Sequence, residues 1–216
     1  MGYFVAVAGN IGVGKSSLTS LLAQNLGWEP FFEAVEENPY LSDFYRDMEK
    51  WSFHSQMFFL SRRARNLYEL QDYRDSVIQD RSIYEDAEIF ARNLYQQGNM
   101  SERDWHTYYH LYETLTRLLR PPNLVVYLQA SVTTLIRRIE QRGREYERGI
   151  KSEYLAQLNT LYEDWTNRFS LCPVLSVATD QLDFVQYPKH LELITQRITD
   201  RLQGKETLNL GDIPGT

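Results

Sequence analysis

The chain has 216 residues, of which 43% are hydrophobic and 24% charged, and a formal net charge of −6. That length fits one globular domain with enough apolar residues for a full core, and the acidic balance argues against a protein that wraps nucleic acid with a basic face. Cys172 is the only cysteine, which excludes an intrachain disulfide. No apolar run approaches the roughly 20 residues of a membrane helix and nothing resembles a secretory leader, so a cytoplasmic protein with neither membrane nor nucleic-acid partner is expected.

Tyr3 to Ala8 is a short apolar run closed by Gly9, the pattern of a buried strand. Leu18, Leu21, Leu22 and Leu26 recur at helical spacing and predict a helix from Lys15 to Leu26. Phe31 to Val35 reads as a second strand with Glu33 near its end, and the aromatic-rich stretch from Pro39 to Tyr73 as mostly helical. Val77 to Asp80 is a third strand, followed by a helix from Asp86 to Gln97. Ser101 with Asp104 marks a helix start, and Pro121-Pro122 ends that helix. Leu124 to Gln129 is a strand, residues 131–142 and 152–170 are helices, Pro173 to Val177 is the last strand, and a helix covers 188–203. Strands alternating with helices predict an α/β fold, a parallel sheet of about five strands with helices on both faces. One domain is expected over residues 1–204, with a polar tail at 205–216.

Gly9-Asn10-Ile11-Gly12-Val13-Gly14-Lys15-Ser16 matches the phosphate-loop pattern G-x-x-x-x-G-K-[ST] at every fixed position, between a strand and a helix. Its glycines let successive backbone N–H groups, with that of Ser17 behind them, converge on one anion at a helix N-terminus. Lys15 then reaches the β- and γ-phosphates, and the Ser16 hydroxyl ligates Mg²⁺. The loop implies nucleotide binding without naming the reaction.

Three further segments narrow the reaction. Asp80, at the end of the third strand, shares a cleft with the loop, because ligands of open α/β sheets lie beyond the carboxyl ends of the strands; it is a second candidate for Mg²⁺. Glu33 stands at a neighbouring strand end, where a base that accepts a hydroxyl proton would serve phosphoryl transfer to an alcohol. Arg138 and Arg142 share a helical face, and with Arg144 and Glu147 between Gly143 and Gly149 they read as an arginine-bearing lid over residues 142–150.

Together these segments resemble the deoxyribonucleoside kinase family, and the bacterial deoxyadenosine/deoxyguanosine kinases in particular. The resemblance runs from Val5 to Phe184 and rests on Gly9–Ser16, Glu33-Ala34-Val35 with Asn38-Pro39, Trp51–Gln56, Asp80-Arg81-Ser82-Ile83-Tyr84-Glu85-Asp86, and Arg142-Gly143-Arg144 with Glu147. It implies a P-loop kinase fold, ATP as phosphoryl donor with Mg²⁺, and a deoxynucleoside phosphorylated on its 5′-hydroxyl. By position, Glu33 would be the general base, Arg81 would contact the reacting phosphates, and Tyr45 and Glu147 would hold the sugar 3′-hydroxyl. Gln56, Arg63 and Asp86 would read the base edge, a combination of mixed, donor-only and acceptor-only groups. Arg138 or Arg142 would stack on the adenine of ATP, near a donor-base loop carrying Asp183 and Phe184. Phe53 and Phe59 supply apolar walls or core packing.

Family homodimers pair through helices, and residues 52–73 and 101–119 are apolar enough to do so. The wording of Glu33–Pro39 favours a purine substrate, deoxyadenosine or deoxyguanosine, with deoxycytidine open. A nucleoside monophosphate kinase of the thymidylate kinase type is the rival reading; Arg62, Arg63 and Arg65 would then bind the acceptor's phosphate. A GTPase is disfavoured by the absence of Asn-Lys-x-Asp.

Overall fold

The first strand, β1 (Phe4–Gly9), is buried at every position. Its residues divide by parity, Phe4, Ala6 and Ala8 joining one apolar cluster and Val5 and Val7 the other. Side chains alternate across a strand, so β1 must be central to a sheet covered on both faces. A computed structural model of the protein, describing residues 2–33 and 35–204, has this architecture. Ala34 and the expected tail at 205–216 lie outside the described residues.

The other strands are β2 (Glu29–Phe31), β3 (Val77–Asp80), β4 (Leu124–Gln129) and β5 (Val174–Ala178). They form one sheet in the order β2-β3-β1-β4-β5, and every neighbouring pair is parallel. The chain leaves β1 for β2 and β3 on one side and later for β4 on the other, so the strand order reverses at β1, where α/β sheets open a ligand crevice. Register pairs Val7 with Asp80 and Gly9 with Leu128, which brings the ends of β1, β3 and β4 together.

One face of the sheet is covered by α1 (Lys15–Leu26), α7 (Val132–Arg142) and α9 (Pro188–Leu202), through Leu18, Leu22, Leu135, Ile139, Ile194 and Ile198. The other face carries α3 (Met48–Leu70), α6 (Glu102–Leu118) and α8 (Ser152–Arg168), through Leu60, Leu67, Tyr108, Tyr112, Leu158 and Trp165. The short α2 (Leu41–Arg46) precedes α3. Ser101 caps α6 through Asp104 N–H, and Ser131 caps α7 through Thr134 N–H.

Two expected boundaries move. The second strand ends at Phe31 rather than Val35, so Glu33 sits on the following loop, two residues past the strand. The helix expected from Asp86 begins earlier: α4 (Ile83–Glu85) continues through a π-helical stretch (Asp86–Ala91) into α5 (Arg92–Gln96). Ser82 and Glu85 form a reciprocal capping box, which starts the helix three residues before the apolar periodicity does. Such π-bulges gather at functional sites, and this one carries Asp86.

Candidate active site

The phosphate loop leaves β1 with Gly9 and Gly14 at φ 144° and 106°. A Cβ on Gly9 would lie 2.7 Å from the Leu128 carbonyl oxygen, and one on Gly14 would lie 3.1 Å from the Phe184 ring. Both close approaches need glycine. Asn10 moors the loop to α8, donating from Nδ2 to Leu155 O at 2.9 Å and to Asn159 Oδ1 at 2.8 Å. Lys15 Nζ donates to Asn10 O at 2.9 Å, folded back across the loop. Burial and the neighbouring Arg81 push its ammonium down to about 8, against the pull of Asp80, Glu33 and Glu85. The Ser16 hydroxyl donates to Asp80 Oδ2, while Asp80 Oδ1 is buried with no hydrogen-bond partner among the described residues.

Beside the loop lies a buried chain of charges. Glu33 Oε1 is 2.9 Å from Arg81 Nε and 3.2 Å from Arg63 Nη2. Arg63 also grips Asp86, with Nε to Oδ2 at 3.0 Å and Nη2 to Oδ1 at 3.3 Å, and donates from Nη1 to Asp80 O at 2.9 Å. Burial alone would raise Glu33, but Arg81, Arg63 and Lys15 together hold its carboxyl below the usual value. At Asp86 the balance reverses, and burial outweighs Arg63, pushing the carboxyl up to about 6. Arg81 has φ 66°, the one non-glycine residue in the left-handed region among those described. That conformation costs roughly 1–3 kcal/mol and is typical of functional sites.

A cleft of about 410 Å³ gathers Lys15, Ser16, Glu33, Tyr45, Gln56, Asp80, Arg81, Asp86, Arg142, Arg144 and Glu147 along its walls. Gln56 is buried, and its amide makes no hydrogen bond to the protein among the described residues. Phe59 lines the same cleft, whereas Phe53 packs against the apolar cluster without reaching it. Arg63 is also absent from the walls. It is 3% exposed, and four of its five N–H donors are taken by Asp86, Glu33 and the backbone. The structure therefore makes Arg63 the clamp behind Asp86 and leaves Asp86 and Gln56 facing the cleft.

On the same cleft Tyr45 stacks on Tyr146 with ring centroids 5.9 Å apart. Glu147 receives Arg142 Nη2 at 2.7 Å and lies 3.7 Å from Arg144 Nη1. Arg142 ends α7, Gly143 takes the left-handed conformation, and a 3₁₀ turn (Glu145–Glu147) follows. A second cavity of about 700 Å³ lies on the other side of the loop, against Val13, Gly14, Ser17, Arg138, Asp183 and Phe184. Among the described residues, only Gly12 and Arg142 line both cavities. Arg138 spans the loop and the following segment, donating to Val13 O at 3.0 Å and Thr179 O at 2.8 Å. Asp183 spends its carboxylate on the N–H groups of Val185 and Gln186, and Phe184 is buried against Gly14.

Sequence reasoning singled out neither Glu85 nor Tyr162 as a site residue. Glu85 Oε1 accepts from Gly9 N–H at 3.1 Å, and the Tyr162 hydroxyl lies 2.8 Å from both Glu85 Oε1 and Gly9 O. The Ser82-x-x-Glu85 spacing was available as a capping signal. Nothing local marks Tyr162, whose partners lie 77 and 153 residues away.

The loop, the carboxylate–arginine chain and the two cavities that share Gly12 and Arg142 suit transfer of a phosphoryl group from a nucleotide to a small polar acceptor. The sequence profile of the deoxynucleoside kinases matches residues 5–203. The chain belongs to the deoxynucleoside kinase family.

Among the kinases it resembles, the deoxyadenosine/deoxycytidine kinase of Bacillus subtilis is 40% identical over 196 residues, covering 90% of each chain. The deoxyguanosine kinase of the same organism is 34% identical, covering 91% of this chain and 96% of its own. A solved deoxyadenosine kinase from M. mycoides with bound dATP superposes with a TM-score of 0.80 at 33% identity, over 91% of this chain and 99% of that one. The protein is thus a deoxynucleoside kinase rather than a monophosphate kinase. The arginines that the rival reading assigns to an acceptor phosphate are engaged, Arg62 with Glu37, Arg63 as above, and Arg65 with Glu69 at 3.0 Å. Among the described residues no helix is long and apolar enough to cross a membrane.

The depressed Lys15 gives a pH signature. Its charge is present below about 8 and lost above it, whereas a bound triphosphate would keep it protonated. Triphosphate affinity should be level between about pH 6 and 7 and should weaken as pH rises through about 8, by up to tenfold per unit. Calorimetric titration across this range checks it, and Lys15→Ala should remove the bend; a wild-type profile level to about pH 10 would refute the assignment.

Proposed function

We propose that the protein transfers the γ-phosphoryl group of ATP to the 5′-hydroxyl of a deoxynucleoside, with deoxyadenosine preferred and deoxycytidine accepted. The observation that carries this reading is one cleft whose walls bring Lys15, Ser16 and Glu33 together with Gln56 and Asp86. Glu33 is kept ionised by its arginines at neutral pH, so it accepts a hydrogen bond from the 5′-hydroxyl and takes the proton late, once the forming phosphoester has acidified it. Arg81 steadies that carboxylate and meets charge on the transferring group. Tyr45 and Glu147 hold the sugar's 3′-hydroxyl. Arg142 and Arg144 close from the lid at 142–150, and the cavity beside Val13, Arg138 and Phe184 takes the donor's adenine. Mg²⁺ fits the donor set: a hydroxyl, Ser16, beside a carboxylate, Asp80, with one unpartnered oxygen, both hard ligands, leaving room for phosphates and waters. Held there, the ion would neutralise phosphate charge.

Base preference follows from donor count. Adenine and cytosine carry an exocyclic amino donor where guanine carries an acceptor oxygen. Asp86 presents only acceptors while ionised, and the Gln56 amide complements the adjacent ring nitrogen. Guanine would set its O6 against the carboxylate, so deoxyguanosine ranks behind. The product would feed deoxynucleotide salvage. A second copy of the chain would cover Tyr68, Leu111 and Leu118, exposed on α3 and α6.

Labelled γ-phosphate from ATP, offered to the four deoxynucleosides and their monophosphates, should appear in the monophosphates of deoxyadenosine and deoxycytidine; label found only in diphosphates would reject the scheme. Asp86→Asn, which can turn a donor toward O6, should shift the deoxyguanosine to deoxyadenosine ratio of kcat/KM upward by about tenfold, and an unchanged ratio would remove Asp86 from base reading. Sedimentation at micromolar concentration should give the mass of two chains, and Leu118→Glu that of one; a single-chain mass for the wild type would refute the pairing.

A further inference from the structure

Arg81 sits at a backbone angle that few residues adopt, and its guanidinium is held from three sides. Glu33 is 2.9 Å from Nε, the Phe90 ring lies 4.1 Å from Cζ, and Nη1 donates to the Tyr162 hydroxyl at 3.3 Å. Tyr162 is fixed in turn, its ring stacked on Tyr127 with centroids 5.4 Å apart. Its single proton goes to Glu85 Oε1 or Gly9 O, each 2.8 Å away, and the charged acceptor is the stronger partner.

Glu85 does more than a cap requires. A capping box needs one carboxylate oxygen, and Oε2 supplies it, accepting from Ser82 N–H at 2.7 Å. Oε1 reaches instead across the sheet to the first residue of the phosphate loop, accepting from Gly9 N–H at 3.1 Å. Glu85 is fully buried, and a buried carboxylate is tolerable only where such donors converge. Its backbone adjoins Asp86 on the π-bulge, so one residue touches the loop, the Arg81–Ser82 turn and, through Tyr162, the Arg81 guanidinium.

We propose that Glu85 and Tyr162 are positioning residues for phosphoryl transfer, a buried brace that registers the Arg81 guanidinium with the first turn of the phosphate loop. Neither touches substrate. The brace rests on the reading of Arg81 as a contact to the transferring group. Loosening it leaves both substrates bound and displaces only the group that acts on the reacting phosphate, so the loss falls on kcat.

Tyr162→Phe cuts the brace while keeping the ring stack and the Glu85 contacts to Gly9 and Ser82. Measured on protein folded by circular dichroism, with kcat expressed per ATP-binding site, it should lower kcat about tenfold with both KM values within about twofold. Added to Arg81→Lys it should cost little more, because the coupling passes through Arg81. Unchanged kcat in Tyr162→Phe, or a loss that adds in full to that of Arg81→Lys, would overturn the brace while leaving the reading of Arg81 intact. Wild-type kcat in Arg81→Lys would overturn that reading and the brace with it. Glu85→Leu, which removes all three acceptor contacts, should on folded protein lower kcat at least as far as Tyr162→Phe, and a smaller loss would count against the proposal.

Discussion

A carboxylate held between two buried guanidinium groups governs the rest of this structure. Glu33 pairs with Arg81 and Arg63, and without it two cations would face one another away from water. Removing one partner of a buried pair typically costs 3–5 kcal/mol, so each charge here constrains its neighbour. Arg63 needs a second anion, which Asp86 supplies from the π-bulge. Arg81 needs a floor and a hydroxyl, which Phe90 and Tyr162 supply. The same chain that satisfies these buried charges keeps both Asp86 and Glu33 on the walls of one cleft.

The sheet determines where this chain stands. Parallel strands place β1, β3 and the loop after β2 with their carboxyl ends on one side, so the phosphate loop, Asp80 and Glu33 meet although they are far apart in sequence. Two cavities flank the loop, and Gly12 and Arg142 are common to both. A side chain on residue 12 would run into Ile139, so glycine there lets the loop lie close against α7.

Much of this could be read from the residues because the strongest signals are local. The phosphate loop is a contiguous pattern, and β1 and β4 are short bounded runs of mostly apolar residues. Glu33 was found as a residue, yet its setting was misread. Phe31 to Val35 has strand composition, but the pairing of β2 with β3 ends at Phe31 and Gln79, and chain composition does not report where a partner strand stops. The start of α4 was missed because a side-chain cap, not periodicity, begins it. Arg63 shows a deeper limit. Its residue type suits base recognition, but whether its donors face the cleft depends on Asp86 and Glu33, 23 and 30 residues away. Glu85 and Tyr162 lay beyond reach for the same reason.

In the proposed transfer Glu33 acts on the acceptor hydroxyl and is not merely ballast for the arginines. Glu33→Gln keeps the side chain's size and hydrogen-bonding reach and removes its charge, so steady-state turnover with a deoxynucleoside and ATP, alongside ATP affinity by calorimetry, separates the two roles. If Glu33 acts on the hydroxyl, kcat should fall about a hundredfold or more with ATP affinity within a few-fold of wild type. Turnover at the wild-type rate in that variant would contradict it.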